Sequence, residues 1–218
     1  MGDKTPSAPA RLTFGRFATA TSVPTRHSPA MRELRAELSP RLGRVLDSSD
    51  PYPAHVTGRR RDLVAWNRAS QLVNGWTQLP EDRRNVVWAM FMLPSMRRTL
   101  LDWEHEAPLT VAALRAEAGR DLSEPDYHQL INDLLEASPD FTALCARQDV
   151  RGRLEGVKRF QHPKPGRFDL EFTVFQVAEQ QSLRLFLYAP AEATSEKKLR
   201  SAGANPVPIS SREADFSK

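Results

Sequence analysis

The hydrophobic period of this chain changes once, from helical in the middle to alternating near the end, and that change restricts the fold more than any single motif. Between residues 67 and 148 the apolar side chains recur at three and four residues. Leu100, Trp103, Ala107, Val111, Leu114 and Ala118 form one such stripe, the mark of a helix buried along one side. Pro108 is expected to kink or restart that helix, and Gly119 to end it. Ser123 with Asp126 reads as a capping arrangement for a helix burying Tyr127, Leu130, Ile131 and Leu134. Ser138-Pro139 opens another, burying Phe141, Leu144 and Cys145. In the last third the period becomes two. Phe168, Leu170, Phe172 and Val174 face one way, and Leu183, Leu185 and Leu187 form one face of a later strand. Phe175, Val177, Phe186 and Tyr188 break the polarity of the opposite faces, so both sides of this sheet are expected to be covered.

An earlier pair of strands precedes the helices. After Pro51 and Pro53 the chain reads as extended over residues 54–57 and 63–66, around a polar turn that contains Gly58 and three arginines. Ser39-Pro40 starts a helix, because proline is tolerated in a first turn, and Ser28-Pro29 is expected to cap a shorter one through Leu38. An early hairpin, a helical middle and a late antiparallel set define an α/β (α+β) fold: a sheet with helices packed over one face. Residues 1–27 read as a disordered basic tail, 28–199 as one folded domain, and 200–218 as a disordered C-terminal tail, with fraying expected past Ser195.

Composition excludes several functions. No apolar run approaches the roughly 20 residues of a membrane-spanning helix, and the N-terminus has no apolar secretory core, so cytoplasm and no membrane partner are expected. A single cysteine precludes an internal disulfide, and the five histidines have no metal-ligand spacing. Cys145 on an apolar helix position reads as an inert thiol, and His105 with Glu106 as a solvated helix face. Nucleophile, phosphate-cradling and dinucleotide motifs are missing, so neither catalysis nor a cofactor is expected. Of the net charge of +4, residues 1–30 carry +3 through Lys4, Arg11, Arg16 and Arg26 against Asp3. The remainder is close to neutral, so the expectation is no sequence-specific DNA binding, and only loose, salt-sensitive contact through the tail.

The order of the local motifs adds a further reading. S-P-R-L-G-R-V-L-D-S at residues 39–48 is followed by G-R-R-R-D-L-V-A-W-N at 58–67 and R-N-V-V-W-A-M-F-M-L-P-S-M-R-R-T-L-L-D-W-E at 84–104. S-P-D-F at 138–141, A-R-Q-D-V-R at 146–151 and K-R-F-Q-H-P at 158–163 complete the set. Together they resemble the ligand-binding domain of MmyB-like transcription regulators, bacterial proteins of the XRE helix-turn-helix class. The resemblance runs from about residue 39 to about residue 199. It implies a PAS-like fold that follows an N-terminal DNA-binding domain; about 27 unpatterned residues cannot supply such a domain, so this chain is expected to be the sensor half alone. Cys145 and Gln148 depart from the family pattern, as does E-Q-Q-S at 179–182.

The resemblance implies a small amphipathic ligand, such as a fatty acid. Trp66, Trp88, Phe91, Trp103 and Phe172 are its candidate walls, although the same residues would serve equally as solid core. Asn67 caps the next helix or contacts the ligand. Arg159, if inward, needs an anionic partner in Asp149, Glu155 or a ligand carboxylate. The alternative function is a structural interaction domain with a solid core that forms a homodimer or pairs with a full-length regulator.

Overall fold

The computed structural model describes residues 38–118, 125–147 and 155–203. The helix expected from Ser28, the Ser123 cap, Gly119, the N-terminal tail and residues 204–218 lie outside these residues, while residues 200–203 of the expected C-terminal tail belong to a helix. The chain forms α1 (Pro40–Ser48), β1 (Ala54–Thr57), β2 (Leu63–Trp66) and α2 (Arg68–Asn74). Two short 3-10 turns follow, then α3 (Val86–Met92), α4 (Pro94–Thr99), α5 (Trp103–Ala118), α6 (Pro125–Ala137) and α7 (Pro139–Cys145). The late strands are β3 (Glu155–His162), β4 (Gly166–Gln176) and β5 (Arg184–Pro190), and α8 (Ala193–Gly203) ends the described chain. The five strands make one antiparallel sheet in the order β2-β1-β5-β4-β3.

Short polar side chains set the helix starts. Ser39 accepts a hydrogen bond from the Arg41 amide ahead of Pro40, and Ser138 does the same for Phe141 ahead of Pro139. Asn85 Oδ1 accepts from the amides of Val87 and Trp88, while its Nδ2 donates to the Arg60 carbonyl at 2.7 Å and to Asp62 Oδ1 at 3.0 Å. One asparagine therefore caps α3 and ties it to the β1–β2 turn. Asn67 acts likewise. Its Oδ1 accepts from the amides of Ala54 and Ser70, and its Nδ2 donates to the Tyr52 carbonyl.

Alternation along the strands sorts the apolar residues into two layers. Phe160, Phe168, Leu170, Phe172, Phe186 and Tyr188 face inward and pack with Trp76, Ala89, Met90, Met96, Trp103 and Ala107 from the helical layer. On the other face Ala54, Val56, Val64, Ala65, Leu183 and Leu185 pack with Leu46 of α1. A third cluster joins α3, α5, α6 and α7 through Val87, Val111, Leu114, Tyr127, Ile131, Leu134 and Phe141. The Leu183 and Leu185 set thus lies on the face opposite Phe172, and the face of Phe186 and Tyr188 is the one shared with it. Both faces are covered over β1, β2 and β5. The cover stops there, because Val157 and Phe175 on the outer side of β3 and β4 remain 43% and 49% exposed.

Two local expectations need correction. Pro108 does not restart its helix: α5 runs from Trp103 to Ala118 with the proline inside it. A proline removes one backbone hydrogen bond at a cost of about 3 kcal/mol. Burial of Trp103, Ala107, Val111 and Leu114 on the same helix outweighs that loss. Past Ser195 the chain does not fray but continues as α8, where Leu199 is 1% exposed. Ser195 Oγ accepts from the Asp169 amide, and the Tyr52 hydroxyl donates to Glu196 at 2.7 Å, so α8 is fastened at its start to β4 and to the segment before β1.

Replacing Asn67 with alanine strands one buried amide, one buried carbonyl and a helix cap together. Asn67→Ala is expected to lower the unfolding free energy by about 3 kcal/mol in urea titrations.

Candidate functional site

The residues singled out in the sequence fall in four places. Trp66, Trp103 and Phe172 belong to the inner layer, where Trp103 Nε1 donates to the Met90 carbonyl at 2.8 Å. Trp88 and Phe91 touch both the inner layer and the helical cluster, with Phe91 edge-on to Trp103 and to Phe141. Asn67 is buried with its side-chain oxygen and nitrogen engaged in the hydrogen bonds described above. Arg159 points to the outer side of β3 and makes a two-pronged pair with Asp102, through Nε at 2.6 Å and Nη2 at 2.7 Å. That partner, 57 positions away, was not among those considered from the sequence. Asp102, His105, Val157 and Arg159 line an open surface cavity of about 480 Å³.

A different set of polar groups lies inside, between the sheet and α5. Glu106 is 3% exposed and pairs with Lys158 of β3 at 3.5 Å. It is therefore not part of a solvated face: Glu106 is three residues from Trp103 and turns with it toward the sheet. Glu117, eleven residues and three turns further along α5, lies on the same side about 16 Å away. Its Oε1 accepts from Arg61 Nη2 at 3.1 Å and from Arg184 Nε at 2.9 Å. All three side chains are at most 16% exposed. Between these charged ends sit His55 and Tyr188. His55 stacks on Phe186 at 4.7 Å and lies 5.7 Å from the Tyr188 ring, while the Arg61 guanidinium covers the other partner of the stack, Phe186, at 5.4 Å. Lys158 Nζ lies 5.1 Å from the Phe172 ring.

The electrostatics follow from this burial. Desolvation, aided by Lys158 and Arg61, lowers His55 to about 3, so the imidazole is neutral at physiological pH. Trp76 Nε1 donates to Ser70 Oγ at 3.0 Å, which leaves the Ser70 hydroxyl proton for His55 Nδ1, 3.4 Å away. Burial, and then Glu106, hold the Tyr188 phenol above its ordinary value. Burial lowers Arg61, with the Glu117 carboxylate opposing the shift. Cys145 ends α7, and burial pushes its thiol up to about 11, which leaves little thiolate at neutral pH.

The sequence reading missed Lys158, Tyr188, His55, Arg61, Glu117 and Arg184. The signal was present in part: Arg184, Phe186 and Tyr188 occupy alternate positions that face one way. The pairing of Glu106 with Glu117 on one helix face was also readable at eleven-residue spacing.

The structure is thus a mixed α/β domain whose antiparallel sheet and helical layer enclose a row of charged side chains. The family model described as the MmyB-like transcription regulator ligand binding domain matches residues 38–202, and the chain belongs to that family. No curated protein matches it. Among the described residues no helix is long and apolar enough to cross a membrane, and no group of three or more histidine, cysteine, aspartate or glutamate side chains could hold a metal ion.

The neutral His55 sets a pH dependence. In the folded state it stays unprotonated down to about pH 3, whereas an unfolded chain takes up its proton near 6.5. The stability it supports is complete above about pH 6.5 and is lost as pH falls through that window, with a limiting slope of about 1.4 kcal/mol per pH unit. Urea titrations between pH 7 and 4 should show His55→Phe with a flatter acid limb than the parent by that amount.

Proposed function

We propose that this chain is the ligand-sensing module of a bacterial transcription regulator and binds a small amphipathic molecule such as a fatty acid within a PAS-like fold. The observation that carries the reading is the enclosed row itself. Arg61 and Arg184 both pair with the one carboxylate of Glu117, so the hairpin end of the row brings two buried guanidinium groups to a single counter-charge. A buried charge without a counter-charge is costly. An anionic head group would supply the missing charge, and the row extends about 16 Å along α5, the reach of an acyl chain. Trp66, Trp103 and Phe172 supply apolar walls on the inner side, with Trp88 and Phe91 behind them. Asn67 and Arg159 are left out of the contact set, because each already has its hydrogen bonds made elsewhere.

A second reading rests on a separate observation. Val157 and Phe175 leave the outer side of β3 and β4 exposed, and Leu101, whose amide donates to the Arg159 carbonyl of β3, is 46% exposed, which favours an interaction domain that pairs with itself or with a full-length regulator. Native mass spectrometry of the purified chain separates the two: a retained lipid on a monomer supports the sensor, and a lipid-free dimer supports the interaction domain.

Ligand that binds only the folded state raises its stability, by about 2.7 kcal/mol at a hundredfold excess over Kd. Thermal melts with octanoate, dodecanoate and hexadecanoate should therefore show midpoints that rise with chain length, and Arg159→Met should show the same increments. A flat series would sink the sensor reading.

A further inference from the structure

We infer that Thr57, Arg61, Glu117 and Arg184 form a subsite for a carboxylate head group at the hairpin end of the buried row, an inference that rests on the ligand-sensing reading above. Three buried polar atoms meet in this set without a hydrogen-bond partner: Thr57 Oγ1, Arg61 Nε and Glu117 Oε2. Thr57 stands directly across from Arg184 in the β1–β5 register, and Glu117 Oε1 joins Arg184 to Arg61. Buried polar groups are ordinarily paired, and each one left unpaired carries its full desolvation penalty. Here the unpaired atoms include two donors, a hydroxyl and a guanidinium N–H, around a centre where two guanidinium groups share one carboxylate. A second carboxylate satisfies both donors and balances the charge.

The backbone at Arg61 is an independent observation. Its φ of 68° is the left-handed region that side-chain-bearing residues rarely adopt. Such a conformation persists only where its surroundings over-determine it, and it concentrates at binding sites. The surroundings do so here: the Arg61 amide donates to the Gly58 carbonyl, its carbonyl accepts from Val86, and Asn85 grips Arg60 and Asp62 on either side. What this arrangement achieves is to turn one guanidinium of a three-arginine turn into the interior, 91% buried, instead of into solvent.

Titration calorimetry of the full chain with dodecanoate and with dodecanol, which differ in the head group alone, tests the subsite. The parent should bind dodecanoate at least tenfold more tightly than dodecanol, and in Arg61→Met that ratio should fall below threefold. Glu117→Gln removes the competing carboxylate but keeps an acceptor for both guanidinium groups, so it should raise the ratio about tenfold; a purely structural Glu117 predicts no change. Where Arg61→Met fails to fold, Glu117→Gln decides. Equal binding of the two probes by the parent, or a ratio untouched in these variants, overturns the subsite and leaves the sensor reading standing. Binding of neither probe overturns both.

Discussion

One carboxylate holds three parts of this fold in register. Glu117, in the last turn of α5, accepts from Arg61 in the β1–β2 turn and from Arg184 at the start of β5, across sequence separations of 56 and 67 residues. Removing such ions from water costs several kcal/mol apiece, and apolar residues of the same volume often hold a fold as well or better. The triad is therefore a poor source of stability. What it contributes is position: it brings the hairpin, the final strand and the longest helix to a common point inside the domain, and it does so with charge.

The apolar layers make that placement possible. Because β2 carries a bulge opposite Val56 and Thr57, Val64 and Ala65 both serve the outer layer while Leu63 and Trp66 on either side serve the inner one. Two asparagines then fix the loops that such a short hairpin cannot fix by itself. Asn67 closes the hairpin onto α2, and Asn85 closes its turn onto α3. A turn tied down from both sides can hold Arg61 in a backbone conformation that a free turn would relax.

For a regulator this arrangement has a consequence. A ligand shifts a two-state protein only by the difference between its affinities for the two states. A head group that completed the interior charge balance would favour whichever state keeps α5 against the hairpin and β5, since Glu117, Arg61 and Arg184 come from those three elements. On the proposed sensing role, the bias would then reach the rest of a regulator through the position of α5 and the hairpin.

The sequence alone determined the strands, most helices and the layers they form. Ser39, Asn67 and Ser138 announced helix starts, the stripe through Trp103 and Leu114 announced a buried helix, and the switch to alternation at Phe168 announced the late sheet. These are consequences of neighbours along the chain, where a period of 3.6 or of 2 is enforced by backbone geometry over a few residues. The ordered motifs also carried the family, with nearly the limits the family model gives. A restart at Pro108 and fraying after Ser195 were misjudged because burial against distant residues overrode local preference. The interior of the domain was decided only by tertiary structure. A glutamate at 106 or 117 and an arginine at 61, 159 or 184 look alike in sequence, and nothing local says which is shielded from water. Arg159 turned out to be a surface partner of Asp102, and Arg61 a buried one of Glu117, because charge pairing depends on distance in space and on the solvent excluded there, and neither is a property of the chain until it has folded.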